Sequence, residues 1–251
     1  MSTAPMIQSP DLVFRSAART HAGTRRTVNE DRVLDRTDKG LWAIADGMGG
    51  HQAGDVAAST VVAAMAAVEH GPSGYTYLGD VIAAIEQANA AIFTGRAAEG
   101  AGASGTTLVA LIAHEGHYAC LWAGDSRAYL FRDGALAAIT RDHSLVQQLV
   151  DRGDVPESRR RQHPNAHIIT RAVGVDAQVE LDRQFAAIAP GDIFLLCSDG
   201  LTACLDDAEM ARALSGGDLD AAAEHLLQAA LSRDALDNVS LILVRAEARA
   251  W

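Results

Sequence analysis

The sequence predicts an α+β fold in which two antiparallel sheets carry helices on their outer faces. Three observations point there. The elements run in the order strands, two helices, many strands, two helices, strand. Strict βαβ alternation is absent, which argues against a doubly wound parallel sheet. The short middle strands are separated by tight turn pairs, as in antiparallel hairpins. A chain of 251 residues buries about 70% of its unfolded surface, enough for one sizeable core. One domain over 1–251 is expected. Aromatics are only 5% of the chain, so core volume must come from Ala, Val, Leu and Ile.

Leu12 to Thr20 reads as a strand with imperfect alternation. Arg32 to Thr37 and Leu41 to Ala45 form the next two, around the turn Asp38-Lys39-Gly40. Asp46-Gly47-Met48-Gly49-Gly50 is expected to break regular structure. Gly54 to His70 has helical spacing on Val56, Ala57, Thr60, Val61, Ala64, Met65 and Val68, and Gly71-Pro72 ends it. Leu78 to Arg96 is a second amphipathic helix. Thr106 to Ala113, His117 to Ala123 and Ala128 to Arg132 read as one antiparallel meander, turning at Glu115-Gly116, Gly124-Asp125 and Asp133-Gly134. Ser144 to Arg152 is a helix. Gly153 to Gly174, with Arg159, Arg160 and Arg161, reads as a polar loop or small subdomain. Strands at Val179 to Ala187 and Ile193 to Cys197, helices at Asp207 to Leu214 and Asp218 to Arg233, and a strand at Val239 to Arg245 complete the chain.

The formal net charge is -11. Nucleic-acid binding through phosphates would need a basic face, so it is not expected. Cys120, Cys197 and Cys204 form no CxxC pair and sit in apolar surroundings, which fits a reducing compartment. The start of the chain shows no signal peptide. The longest apolar run, Val56 to Val68, is too short to span a bilayer. A soluble, cytoplasmic chain is expected. It shows no coiled-coil pattern, and a monomer is expected.

Four stretches share one design, an acid beside a strand end. They are Ala45-Asp46-Gly47, Gly124-Asp125-Ser126, Ser198-Asp199-Gly200 and Leu236-Asp237-Asn238. Asp-Gly is also an ordinary turn pair. Carboxylates 4 Å apart repel by about 4 kcal/mol per pair at an effective dielectric of ~20. Total stability is only ~5–15 kcal/mol. A convergent set of acids therefore needs cations or protons. Oxygen-only donors suit Mg²⁺ or Mn²⁺ rather than Zn²⁺. Spacing alone does not establish convergence.

Six stretches, in order, resemble the metal-dependent serine/threonine protein phosphatases of the PPM, or type 2C, class, and its compact bacterial form most closely. They are Gly23 to Asp31, Ala45 to His51, Ser104 to Thr107, Gly124 to Arg127, Ser198 to Gly200, and Asp237-Asn238. The resemblance implies an α-β-β-α sandwich with metals in a cleft between the sheets, and a flap over approximately 144–175. It implies two core Mg²⁺ or Mn²⁺ ions and a third, weaker one. Asp46 would bridge two ions and the Gly47 carbonyl would ligate the first. Asp199 and Asp237 would hold the second, and Asp125 with Asp199 the third. Glu30 would orient a water on the metals, with Asp31 beside it and Asn238 behind. Arg26 would grip the substrate phosphate, with Arg25 as the competing candidate. Some family members carry a general-acid His just after the Asp-Gly pair. Here Met48 fills that position, so His51 is either an acid or a supporting residue. Arg127 is expected to pair with a local acid. His143, His163 and His167 are expected to be polar loop residues.

The implied reaction is hydrolysis of phosphoserine and phosphothreonine by a metal-activated water. The implied partners are phosphorylated proteins, a serine/threonine kinase and its substrates. The competing readings are a phosphoprotein-binding pseudophosphatase and a metal-dependent hydrolase of small phosphate esters. The basic residues of the flap would attract acidic phosphopeptides.

Overall fold

The computed structural model describes residues 12–49, 53–99 and 104–249. Its strands are β1 (Leu12–His21), β2 (Asp31–Arg36), β3 (Leu41–Met48), β4 (Gly105–Thr106), β5 (Leu108–His114), β6 (His117–Ala123), β7 (Arg127–Arg132), β8 (Ala135–Ala138), β9 (Asp182–Ala187), β10 (Ile193–Cys197) and β11 (Val239–Ala248). Its helices are α1 (Ala53–Ala66), α2 (Gly74–Glu99), α3 (Leu145–Asp151), α4 (Asp199–Cys204), α5 (Asp207–Leu214) and α6 (Leu219–Leu231). One sheet has the order β1-β11-β10-β7-β8. The other has the order β2-β3-β5-β6-β9, with β4 on β3. All pairings are antiparallel.

Side-chain alternation makes the layers. Trp42, Ile44, Val109, Leu111, Phe194, Leu196, Ile242 and Val244 pack between the sheets. Their neighbours Leu41, Ala43, Leu108 and Ala110 face α1 and α2. Leu195, Leu241 and Leu243 face α4, α5 and α6. The strands are thus apolar on both faces, which is why their sequences run nearly unbroken rather than alternating. The α-β-β-α sandwich is the observed architecture.

Several boundaries differ from the sequence reading. β3 does not stop at Ala45. It runs through Asp46 to Met48, because β4 pairs with Gly47 and Met48. α1 ends at Ala66, not His70; Arg36 Nη1 donates to the Ala66 carbonyl (2.7 Å) and fixes that end. α2 starts at Gly74, where Ser73 Oγ accepts from the Thr76 N–H (3.2 Å) as a cap. The meander is not one sheet: β6 and β7 belong to different sheets, and Gly124-Asp125 crosses between them. β9 begins at Asp182, while Val179 and Leu181 pack on the outer core as loop. β8 and α4 carry no clear periodicity in so few residues. Cys120 and Cys197 are buried in the core, while Cys204 is half-buried, with Arg233 and Arg161 nearby. Among the described residues, no helix is long and apolar enough to cross a membrane.

Candidate metal centre

The acids named from sequence meet at one end of the sandwich. Asp46 lies near the end of β3, Asp125 between β6 and β7, Asp199 at the start of α4, and Asp237 just before β11. Asp31 opens β2 directly opposite Asp46 in register. Glu30 precedes it. Five separate chain segments therefore supply one cluster.

The cluster is pinned by short backbone contacts. Thr107 Oγ1 accepts from the Asp46 N–H (3.2 Å) and contacts Ser126 Oγ (2.7 Å), so one hydroxyl joins two of the acidic turns. Gly124 has φ +119°, and a Cβ there would stand 2.6 Å from the Thr107 Cβ. Only glycine suits both conditions. A Cβ on Gly54 would meet the Gly47 carbonyl carbon at 2.7 Å and Glu30 Oε1 at 2.9 Å. That close approach seats α1 against the end of β3. Asn238 Oδ1 accepts from the Glu30 N–H (2.8 Å), and its Nδ2 donates to the carbonyls of Ala22 and Val28. Asn238 thus fixes the loop that carries Arg26 and Glu30. Ser198 Oγ donates to Asp31 Oδ2 (2.9 Å) and accepts from the Ser240 N–H (3.0 Å).

The electrostatics are those of acids forced together. Burial first, then the charges of Asp31, Asp199, Asp125 and Asp237, hold the Asp46 carboxyl well above the usual range. Burial, then Asp199 and Asp142, push Asp125 up to about 8. Asp199 is raised to about 6 by burial and Asp237, against a hydrogen bond with Asp46. Asp31 is raised to about 6 by burial, against hydrogen bonds from Ser240 and Ser198. Two buried oxygens, Glu30 Oε1 and Asp31 Oδ1, have no hydrogen-bond partner. Orphaned buried acceptors are costly and call for a cation, a proton or a water-borne donor. An all-oxygen donor set of this kind fits Mg²⁺ or Mn²⁺. Among the described residues, no three acid, imidazole or thiol groups yet close round a single point. Asp237 is turned outward, where its Oδ2 accepts from Arg26 Nη2 (2.8 Å).

That pair also bears on the two arginines. Arg26 is raised in pKa chiefly by its hydrogen bond to Asp237, and it senses the charges of Glu30 and Asp46. Arg26 therefore stands beside the acids, and Arg25 is exposed outside this pair. His51 lies outside the described residues. Arg127 pairs with a local acid as expected: its Nε and Nη2 each reach an Asp142 oxygen at 2.7 Å.

The sequence reading of the Arg159-Arg160-Arg161 run needs correction. Arg160 is not a solvated residue. Its Nη1 donates to Asp142 Oδ2 (2.9 Å) and Gln147 Oε1 (3.1 Å), completing a buried Arg127–Asp142–Arg160 triad. Arg161 Nη2 donates to the Leu205 carbonyl (2.8 Å), and Arg159 is exposed. A cavity of ≈ 230 Å³ opens here, lined by Asp125, Asp199, Arg160, Arg161 and His167 among others. A larger cavity of ≈ 970 Å³ opens near Gly40, His70 and His114, at the opposite end of β3 from the acids. Of the clustered acids, Asp125 and Asp199 line the smaller cavity and none lines the larger.

Sequence reasoning missed three contributors. Thr107 lay inside a recognised stretch but had no role. Asp142 was not singled out, although an acid was expected for Arg127. His143 reads in sequence as a polar loop residue, yet its side chain is only 10% exposed. Burial lowers its pKa below the ordinary 6.5.

The model of the protein phosphatase 2C family matches residues 19–237. The chain belongs to the protein phosphatase 2C family. Among its relatives is the serine/threonine protein phosphatase PstP of Mycobacterium tuberculosis, 37% identical over 233 residues, covering 92% of this chain and 45% of PstP. The chain thus spans about half the length of that relative. The serine/threonine phosphatase stp of Listeria innocua is 34% identical over 235 residues, covering 90% of this chain and 93% of its own. Among solved structures, PppA of Pseudomonas aeruginosa superposes with a TM-score of 0.88 at 42% identity, over 94% of this chain and 100% of that one. The catalytic domain of PstP in complex with two manganese ions superposes with a TM-score of 0.86 at 37% identity, over 94% and 99%.

Proposed function

We propose that this protein hydrolyses phosphoserine and phosphothreonine in proteins, using Mg²⁺ or Mn²⁺. The observation that carries the reading is the cluster of Asp31, which is buried, with Asp46, Asp125 and Asp199, which are half-buried, all with carboxyls held above their ordinary pKa. Asp46 would bridge two core ions, with the Gly47 carbonyl on the first and Asp199 and Asp237 on the second. Asp125 and Asp199 would hold a weaker third. Glu30 and Asp31, each with an orphaned oxygen, would accept hydrogen bonds from water in the site. Bound divalent ions supply Lewis acidity and lower the pKa of water. Arg26 would leave Asp237 and present paired donors to the phosphate oxygens. The same release would free the Asp237 carboxylate to serve as a ligand of the second ion. His51 is the remaining candidate acid.

The segment from Ser144 to Val175 is the flap on this reading. It closes one side of the ≈ 230 Å³ cavity beside Asp125. The substrates would be phosphorylated proteins, with a serine/threonine kinase as the opposing enzyme and the chain acting as a cytoplasmic monomer. The test is hydrolysis of phosphopeptides, para-nitrophenyl phosphate and nucleotides, with and without Mn²⁺. Mn²⁺-dependent turnover that favours phosphopeptides is expected. Phosphopeptide binding without turnover, or preference for nucleotides, would overturn the reading.

A further inference from the structure

We infer that His143 is a positioning residue, which clamps the Gly124-Asp125 turn to the base of the flap and so sets where the Asp125 carboxylate stands. Two hydrogen bonds run between His143 and Gly124. The His143 N–H donates to the Gly124 carbonyl (2.8 Å), and the Gly124 N–H donates to His143 Nδ1 (3.2 Å). Both backbone polar groups of the residue before Asp125 are therefore held by one side chain and its own backbone.

The second bond decides the tautomer. Nδ1 accepts, so it carries no proton, and the proton of the neutral ring is on Nε2. Nε2 faces Asp182 Oδ2 at 3.2 Å. Arg171 Nη1 donates to the other oxygen, Asp182 Oδ1 (2.6 Å), and its Nη2 pairs with Glu180 (3.1 Å). Arg171 Nη1 also lies 3.2 Å from His143 Nε2. Both groups carry protons in this tautomer, so Asp182 is what links them. An acid that orients a histidine through one ring nitrogen, while the other holds the working group, is a common arrangement behind metal ligands. Here the working group is a backbone amide. The ring is fixed by stacking on Trp122, with centroids 6.1 Å apart and planes 16° apart.

His143 is also where the flap returns to the body. The Thr170 N–H donates to the His143 carbonyl (2.7 Å), and the Leu145 N–H donates to the Ile168 carbonyl (2.8 Å). The two ends of the flap are joined at this one point. Gly124 has no room to yield, because Thr107 fills the space where a Cβ would lie. A shift of the flap base is thus carried to Asp125 rather than absorbed at Gly124.

The inference rests on the reading that Asp125 holds the weaker third ion. The test measures Mn²⁺ binding by calorimetry, and exchange of the Gly124 amide by NMR, in wild type, His143→Phe, His143→Asn, Asp182→Asn and Asp125→Asn. His143→Phe keeps a ring on Trp122 and removes the acceptor. It should weaken the weakest Mn²⁺ site about 10–100-fold, leave the two tighter sites within about twofold, and speed Gly124 exchange. His143→Asn can still accept through Oδ1 and should recover part of both effects. Asp182→Asn, at a half-exposed position, should give the intermediate result and serves if His143→Phe folds poorly. Loss of the weak site in Asp125→Asn, with wild-type Mn²⁺ affinity and Gly124 exchange in His143→Phe and Asp182→Asn, would overturn the inference alone. Equal weakening of all sites in those two variants would also overturn it, as a general structural role. Retention of every site in Asp125→Asn would overturn the reading of Asp125 and the inference with it.

Discussion

Around the acids, backbone meets backbone so closely that side chains are excluded. A Cβ on Gly47 would lie 2.3 Å from the Gly54 carbonyl, and one on Gly200 would lie 2.0 Å from the Asn238 carbonyl. In the flap, a Cβ on Gly153 would meet nothing within 4 Å. Residues 151–154 and 156–159 are exposed. The flap is held by ion pairs and backbone hydrogen bonds at its base, through Asp142, His143 and Thr170, and its outer rim faces water. The contrast teaches where tolerance lies. The cleft is over-determined and its acids are kept near one another at electrostatic cost. The rim of the flap can vary without disturbing the sandwich, but its base cannot.

The largest expected effect is in the cleft. Asp46→Asn or Asp199→Asn should lower turnover of para-nitrophenyl phosphate by at least ~10³-fold, about 4 kcal/mol of transition-state stabilisation. Chelation should do the same to the wild type, and added Mn²⁺ should reverse it. Full activity in a chelated, metal-free preparation would remove the metals from the reaction.

Next comes the base of the flap. Asp142→Ala leaves the largely buried Arg127 with no carboxylate partner, and Arg160 with Glu157 alone. Loss of one partner from such a group costs about 3–5 kcal/mol. Urea unfolding should register that loss; a change under 1 kcal/mol would mean the triad is solvated and the flap base loose.

Arg26→Ala should reduce kcat/KM for phosphopeptides by about 10–150-fold, mainly through KM. The variant frees Asp237, so Mn²⁺ affinity should hold or rise. Collapse of Mn²⁺ affinity would instead make Arg26 an anchor of the cleft, with Arg25 left as the phosphate contact.

Proton linkage sharpens the same contrast. In the absence of cations Asp125 holds its proton up to a pH of about 8, and Asp31 and Asp199 hold theirs up to about 6. A raised carboxyl gives up its proton as pH rises, so Mn²⁺ affinity should increase from pH ~5 to ~8, about tenfold per unit for each proton displaced. Calorimetry in two buffers of different ionisation enthalpy counts those protons. Binding without proton release at pH 6 would contradict the clustering of the acids.

The smallest effect belongs to the rim. Arg159→Ala should slow phosphopeptide turnover modestly at low salt and leave para-nitrophenyl phosphate unchanged. Exposed charges are screened over ~8–10 Å at physiological ionic strength, so the difference should vanish there. Equal losses on both substrates at every salt would place Arg159 in the structure of the site rather than in substrate selection.

The sequence by itself determined the local pieces. The Asp-Gly and Asp-Asn stretches, the turns, the two-faced apolar strands and the caps of α3, α5 and α6 depend on residues within a few positions of one another, and they are legible without any fold. The acids of the cleft were named from those stretches. What they meet is another matter. That β6 and β7 enter different sheets, that Thr107 bridges Asp46 to Ser126, that Arg160 is buried on Asp142, and that Asp237 reaches Arg26 across 211 positions were decided only by the tertiary structure. The same holds for His143, whose sequence neighbours look like an ordinary polar loop. Contacts between distant segments are chosen by how whole layers pack, and a side chain's role follows from what packing puts beside it. Local propensity carries no record of that.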